Sequence, residues 1–177
     1  WDFPGWNAVA VDPSRPDRVL FADEYTGTIF FSADQGRDWR VAFHHPDAKG
    51  PSFNANHGFS SFAFAPSNAR TVYAGMRRDR NTVDYGSPAA SFGIYKSTDG
   101  GETWSAANDA NTASLNVNTL AVDPNSEETA YAGTITGIFG TTDGGRTWKA
   151  MNTGLRVTHI RALAVDPSNA NILYAGA

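Results

Sequence analysis

Short apolar runs alternate with polar turn segments along the whole chain. One phrase, an apolar run that usually ends in Asp-Pro, occurs at 8–13, 62–66, 120–124 and 163–167. After a turn rich in Pro, Ser and Asn, a second apolar run follows each copy, at 19–22, 72–75, 130–133 and 173–176. Short β-branched and aromatic runs between such turns are typical of strands. The pattern predicts a repeated strand–turn–strand unit and an all-β fold.

A second signature, Ser/Thr-x-Asp-x-Gly-x-x-Trp, follows a third apolar run in three of the repeats. The Asp carboxylate can accept backbone N–H bonds within a hairpin, and the Gly can adopt the positive φ that other residues resist. The Trp opens a fourth strand, and burying it against the next repeat would contribute about 2–3 kcal/mol. The motif residues are Ser32, Asp34, Gly36, Trp39, Ser97, Asp99, Gly101, Trp104, Thr141, Asp143, Gly145 and Trp148.

This signature resembles the Asp-box, or BNR repeat, of sortilin-like, xyloglucanase-like and sialidase-like β-propellers. The resemblance implies four-stranded antiparallel blades, with units near 7–40, 61–105 and 117–149 and a partial unit at 160–177, about three and a half blades in one propeller segment. Propellers close with typically four to eight blades. We therefore expect further blades, supplied by a longer chain or by other subunits.

Composition narrows the function classes. A formal charge of −4 and a pI near 5.4 argue against nucleic-acid binding, which depends on an excess of basic groups. The absence of cysteine excludes disulfides and thiolate metal sites. No apolar run approaches 18 residues, so we expect no membrane span in this segment. We also expect no cofactor and no metal, and the resemblance implies an exported protein, extracellular or in the cell envelope.

Two long insertions, at 44–59 and 76–92, are the best candidates for a binding site. Because antiparallel strands alternate in direction, both insertions open on the face opposite the Asp-boxes, and a later connection with Arg156 and His159 opens there too. Loops of this length are uncommon in compact domains unless they are disordered or bind something. The candidate binding residues are His44, His45, Asn54, Asn56, His57, Arg77, Arg78, Arg80, Asp84 and Tyr85.

The leading functional prediction is a non-catalytic module that binds a protein or carbohydrate ligand on this face, as in the sortilin-like group. The alternative is a secreted glycoside hydrolase of xyloglucanase-like type, acting on a polysaccharide. In those enzymes a catalytic Asp follows the second strand of the first blade, and Asp23 occupies a similar place. Glu24 points the other way along the strand, so the second carboxylate would come from Asp79, Asp84 or an absent blade.

The sequence gives less support to two other functions, sialidase activity and metal binding. A sialidase needs three arginines from separate blades around a carboxylate, whereas Arg77, Arg78 and Arg80 share one loop. The imidazoles of His44, His45 and His57 are metal-ligating groups, but their spacing matches no recognised zinc motif. Whether the chain is an enzyme stays open at this point.

Overall fold

A computed structural model describes residues 8–23, 26–46, 57–78 and 93–177, with the backbone alone for His57 and Arg78. These residues form four antiparallel sheets. Blade one contains β1 Ala8–Val11, β2 Val19–Asp23, β3 Thr28–Ser32 and β4 Arg40–His44. Blade two contains β5 His57–Ala65, β6 Asn68–Arg78, β7 Ile94–Ser97 and β8 Ser105–Ala106. Blade three contains β9 Val117–Asp123, β10 Ser126–Thr134, β11 Gly137–Thr141 and β12 Lys149–Ala150. The half-blade contains β13 Ala162–Asp166 and β14 Asn169–Gly176.

The strands of each complete blade lie side by side in chain order, which confirms the predicted propeller architecture of four-stranded antiparallel blades. Among the described residues no helix is long and apolar enough to span a membrane. Two predicted insertion bounds were wrong, namely the end of the first insertion at 59 and the start of the second at 76. His57 to Phe59 pair with Met76 to Arg78 as strand, because each segment supplies the backbone partners of the other.

The core lies between neighbouring blades rather than within one sheet. One cluster joins Leu20 and Ile29 of blade one to Phe59, Val72 and Met76 of blade two. A second cluster joins Tyr73, Ile94 and Ala65 of blade two to Val117, Leu120 and Trp148 of blade three. Each sheet therefore has an apolar face that only an adjacent sheet can cover.

The Asp-box hairpins share one set of hydrogen bonds, shown here for blade two. The Oδ1 atom of Asp99 accepts the backbone N–H groups of Glu102 and Thr103, both at 2.9 Å, and the Ser97 hydroxyl at 2.8 Å. The Ser97 oxygen in turn accepts the Gly101 N–H at 2.8 Å. Corresponding bonds surround the aspartates of blades one and three.

These bonds favour the ionised form of the aspartates. In blade three the Thr147 hydroxyl and amide, followed by the Thr141 hydroxyl, lower the pKa of Asp143 to about 2. Each bond requires an acceptor oxygen, which the carboxylate provides and the protonated acid provides less well. The Asp-box carboxylate therefore acts as a charged turn scaffold.

The Asp-box tryptophan of blade three packs against the preceding blade, so the expectation of the next blade was wrong for this motif. Trp148 is 2% exposed and donates its indole N–H to the carbonyl of Ala107 in blade two at 2.9 Å. The Asp109 carboxylate of blade two accepts the Trp148 backbone N–H at 2.9 Å. A Cβ added at Gly101 would lie 2.5 Å from Leu20 of blade one, so that hairpin also faces backwards.

The tryptophans of the first two blades bond differently from Trp148. Trp39 of blade one is 43% exposed and donates to the Gly36 carbonyl of its own hairpin at 2.9 Å, and Trp104 of blade two donates to the Gly101 carbonyl of its own hairpin at 3.0 Å. Val9, Val11 and Val41 are exposed in blade one. Of the three motif tryptophans, Trp148 alone donates its indole N–H to the preceding blade.

Ion pairs reinforce the contact between blades one and two near the Asp-box. The Glu102 carboxylate pairs with Arg18 through one oxygen and with Arg40 through the other, the latter at 2.8 Å. The Arg18 side chain is largely buried and also donates to the Asp99 carbonyl at 3.1 Å. Blades two and three are linked in the same way by Lys96 and Glu128, 2.9 Å apart.

Candidate functional site

The loops of each blade leave its strands at two opposite ends. Because the strands are antiparallel and follow chain order, the Asp-box hairpins leave one end and the connections after each second strand leave the other. We call this other end the insertion face. Asp23, Arg77 and Thr134 mark it, each at or next to the end of a second strand. The connections that hold both predicted insertions start and finish here.

A cleft of about 340 Å³ lies on the insertion face. It is lined by Ser60, Arg77, Asn118, His159 and Arg161. Ser60 and Asn118 lie near the starts of β5 and β9, and Arg161 immediately precedes β13. Three successive inner strands therefore contribute to one site. Its volume is near the lower end of the range for ligand pockets, roughly 300–1,000 Å³.

The inner-strand residues of the cleft occupy equivalent positions in the repeat, each directly after a buried apolar residue. Ser60 and Asn118 are the extra residues of β-bulges, where the strand register shifts. The Ser60 hydroxyl donates to the Val117 carbonyl at 2.6 Å, and the Asn118 amide donates to the Ile160 carbonyl at 2.8 Å. The bulges thus place polar side chains at the cleft and tie each inner strand to the following one.

The chemistry of the cleft favours an anionic ligand. Two guanidinium groups, Arg77 and Arg161, and the imidazole of His159 supply N–H donors, and the described lining contains no carboxylate. Guanidinium groups bind carboxylates with two parallel hydrogen bonds when the geometry allows. The described cationic groups suit recognition of a carboxylate group.

Blade one carries a separate polar network on the same face. The Thr26 hydroxyl donates to Oδ2 of Asp23 at 3.0 Å and lies 2.8 Å from the Thr28 hydroxyl. The Thr28 oxygen lies 2.9 Å from Nδ1 of His44. The strand register places Asp23 opposite Thr28 and Thr28 opposite His44. Asp23 is half-buried and His44 is exposed, so the network runs from the blade interior to the surface.

The other described histidine of the first insertion has a packing role. His45 is 2% exposed, and its ring lies edge-on to Phe43 and Tyr95, with centroids 6.3 and 5.7 Å away. Its backbone N–H donates to the Gly27 carbonyl at 3.0 Å. His45 is therefore held away from the surface on which His44 lies. Within the described part of the chain, no three His, Asp or Glu side chains cluster closely enough to hold a metal ion.

The structure brings together few of the residues singled out in the sequence. Arg77 lines the cleft, and His44 joins Asp23 through the threonines. His57 and Arg78 lie in paired strands at the same end of blade two. The predicted binding residues that lie outside the described residues are Asn54, Asn56, Arg80, Asp84 and Tyr85.

Sequence reasoning missed Ser60, Asn118 and Arg161 as cleft residues. A usable signal was present, because each directly follows an apolar residue and lies two residues before an inner-strand phrase. Aligning the repeats two residues further towards the N-terminus would have shown a column of polar residues. The bulges that direct this column to the cleft are a product of strand pairing.

Comparison with known proteins agrees with this geometry. The family model described as BNR/Asp-box repeat matches residues 95–106, which span the β7–β8 hairpin. No curated protein sequence matches the chain.

Solved structures match over nearly the whole chain. An ancestral GH74 enzyme is 25% identical, with a TM-score of 0.70, over 97% of this chain and 21% of the other. The GH74 xyloglucanase from Xanthomonas campestris is 17% identical, with a TM-score of 0.64, over 94% of this chain and 26% of the other. YCF48 from Cyanidioschyzon merolae is 18% identical, with a TM-score of 0.59, over 93% of this chain and 49% of the other.

The chain thus spans less than half the length of each of these structures. The same fold is indicated by the repeated hairpins, by the sheet order, by the matching repeat model and by these neighbours. The chain is a segment of a β-propeller built from Asp-box (BNR) repeats.

Proposed function

We propose that this chain belongs to an exported, non-catalytic propeller that binds a protein or glycan partner through the insertion face. The cleft formed by Ser60, Arg77, Asn118, His159 and Arg161 carries the proposal. The hydrogen-bond donors of the cleft come from blade two, from blade three and from the connection that precedes the half-blade, so a ligand would contact several repeats at once. The cationic lining indicates that the bound part of the partner carries carboxylates.

The composition of the cleft favours binding over catalysis. Glycoside hydrolysis requires two carboxylates about 5–10 Å apart across the scissile bond. The described lining offers cationic and neutral groups instead. A neighbouring propeller, YCF48, has been solved with a bound peptide, which supports ligand binding as a use of this architecture.

The binding proposal can be tested with two acidic probes, poly-L-glutamate and polygalacturonate, each titrated by calorimetry against the protein. Methyl-esterified polygalacturonate is the neutral control probe. Arg161→Gln should weaken binding of the preferred acidic probe about tenfold or more, because a charged hydrogen bond contributes roughly 1.5–3 kcal/mol. Arg156→Gln is the matched control, since Arg156 is exposed on the same connection but does not line the cleft. Equal loss in both variants, or no binding of either acidic probe, would contradict the proposal.

A second candidate function is polysaccharide hydrolysis with Asp23 as one carboxylate. The observation that favours it is the position of Asp23 at the end of β2, half-buried and hydrogen-bonded to Thr26, in a chain whose fold neighbours include GH74 enzymes. Asp23→Asn keeps the size of the side chain and removes its acid–base chemistry. If xyloglucan hydrolysis by the full-length protein is present and unchanged in this variant, Asp23 has no catalytic role.

Export and completion of the ring are also proposals. Fractionation of the cells that make the full-length protein tests export, since recovery in the cytosol alone would contradict it. Native mass spectrometry of the polypeptide tests whether further blades come from the same chain or from other subunits. A single chain long enough for four or more blades would favour the first source.

A further inference from the structure

One position of the second strand is glycine in three of the four sheets. It is Gly75 in β6, Gly133 in β10 and Gly176 in β14, each paired with a residue of its own inner strand. Ala22 takes this place in blade one, where it pairs with Ala8. None of the three glycines has a positive φ, so the backbone conformation does not explain why they lack a side chain. Their surroundings have to explain it.

At two of these positions the missing side chain makes room for the following blade. A Cβ added at Gly75 would lie 2.5 Å from Cγ1 of Val117, and one added at Gly133 would lie 2.7 Å from Cγ2 of Ile160. Val117 begins β9, and Ile160 lies two residues before β13. Both side chains are β-branched and at most 1% exposed. Each glycine therefore forms one wall of a socket that holds an apolar side chain, and we call it a glycine socket.

A polar side chain beside each socket binds the backbone of the same occupant. The Ser60 hydroxyl donates to the Val117 carbonyl at 2.6 Å, and the Asn118 amide donates to the Ile160 carbonyl at 2.8 Å. Ser60 and Asn118 each directly precede the inner-strand residue that pairs with the socket glycine. One residue of the following blade is thus held twice, by its side chain and by its carbonyl. The same attachment occurs at two successive blade junctions.

The half-blade contains both parts of a third socket. Gly176 pairs with Ala162, and Arg161 directly precedes that partner. Arg161 therefore has the place of Ser60 and Asn118, with N–H donors in its side chain. Among the described residues other than its chain neighbours, a Cβ added at Gly176 would meet Ala162 alone, at 3.6 Å, an ordinary van der Waals distance. Space for an apolar side chain is therefore open at Gly176.

The sheet face around Gly176 matches a face that forms an interface elsewhere. Tyr174, two residues before Gly176, is 59% exposed. Tyr73, at the same distance from Gly75, is 0% exposed. Tyr73 packs in the core between blades two and three, and its hydroxyl donates to the Glu127 carbonyl of blade three at 2.9 Å. The open face of the half-blade thus has the residues of a blade junction.

We propose that Gly176 and Arg161 form a third glycine socket, filled by a β-branched apolar residue from the inner strand of the next blade in the same polypeptide. Both filled sockets hold such a residue from the next inner strand of this chain, so the third continues an established interface. The Arg161 side chain donates to the carbonyl of the occupant, and its remaining N–H groups stay available to a ligand in the cleft. The inference rests on the proposal that further blades complete the ring. It adds the residues through which the next blade attaches.

The occupant can be detected in the wild-type, full-length protein by nuclear magnetic resonance. With valine and isoleucine methyl groups labelled, we expect a nuclear Overhauser contact between the α-protons of Gly176 and a methyl group of a residue after 177. Gly75 and Gly133 are internal references, because their contacts with Val117 and Ile160 should appear in the same spectrum. If the reference contacts appear and Gly176 shows none, the proposal is overturned. The contact must also persist after refolding with an excess of unlabelled chains, since its loss would assign the occupant to another subunit and overturn the proposal.

A substitution gives a second, independent measurement. Gly176→Ala should speed amide hydrogen exchange of β13 and β14 about tenfold or more, because the added methyl group overlaps the occupant of a filled socket. At an unfilled position the same change would slow exchange, since alanine reduces the conformational freedom of the unfolded chain. Gly75→Ala is the matched control with a known occupant and should speed exchange of β5 and β6 by a similar factor. Unchanged or slower exchange in Gly176→Ala, beside the expected effect in Gly75→Ala, would overturn the proposal.

The socket and the completion of the ring fail in different ways. Native mass spectrometry measures the length of the polypeptide without reference to Gly176. A polypeptide long enough for a following blade, but without a methyl contact at Gly176, overturns the socket and leaves ring completion standing. A polypeptide too short for a following blade overturns the socket and completion by the same chain together.

Discussion

Trp148 offers the sharpest test of how the blades hold together. The side chain is 2% exposed, donates to the Ala107 carbonyl at 2.9 Å and packs in the core between blades two and three. Trp148→Ala should therefore lower the free energy of unfolding by about 3–5 kcal/mol, the range for emptying a buried aromatic site. Trp148→Phe keeps much of the apolar volume but leaves the carbonyl without its donor. We expect it to cost about 1–3 kcal/mol.

The matched control is Trp104→Ala. Trp104 has the same place in its motif and lies between described blades, but it is only half-buried and donates to the Gly101 carbonyl of its own hairpin at 3.0 Å, so its loss should cost less, about 1–3 kcal/mol. Urea unfolding of the full-length protein followed by far-ultraviolet circular dichroism gives the stability changes without relying on tryptophan emission. Amide hydrogen exchange should show faster opening of β7 and β8 in Trp148→Ala. Faster exchange in β13 and β14 of Trp148→Ala, with β7 and β8 unchanged, would refute backward packing of Trp148.

Three further substitutions test the same scaffold. Gly101 has a φ of 96°, and a Cβ added there would clash with blade one, so Gly101→Ala should lower the free energy of thermal unfolding by about 2–4 kcal/mol. Gly154 has a similar φ of 82° but no atom within 4 Å of the added Cβ, so the control Gly154→Ala should lower it by about 1 kcal/mol. The pKa of Asp143 is lowered to about 2 from its ordinary 3.8, so the ionised carboxylate stabilises the fold fully above pH 3.8 and stops doing so as the pH falls through about 2. In acid unfolding, the stability of Asp143→Asn should therefore depend less on pH over this range than that of the wild type. Glu102→Gln should cost about 1 kcal/mol at low salt and less at high salt, measured by urea unfolding, because its pair with the largely buried Arg18 is weakened.

The elements that could be predicted are those whose cause is local. In the Asp-box a carboxylate, a glycine and a hydroxyl lie within five residues, and their bonds close the hairpin without distant partners. The strand phrases were equally readable, because apolar and turn residues alternate over short distances. The predicted four-stranded antiparallel propeller follows from these two signals.

What could not be predicted depends on contacts between distant segments. The motif alone does not indicate that Trp148 packs against the preceding blade, because its partner Ala107 lies in another repeat. The cleft arises from bulges at Ser60 and Asn118, which exist only when strand registers are compared. The link from Asp23 to His44 likewise requires the pairing of three strands.

The backward orientation of the hairpins gives the blade array a polarity. A substitution in one Asp-box should loosen the sheet that precedes it, while the sheet that follows keeps its own hairpin contacts. Damage should therefore spread towards the N-terminus, one neighbour at a time, as expected for a structure whose stability is a sum of nearest-neighbour terms. Mutational effects on an Asp-box hairpin are best assigned to the blade that the hairpin contacts and only secondarily to the blade that carries it.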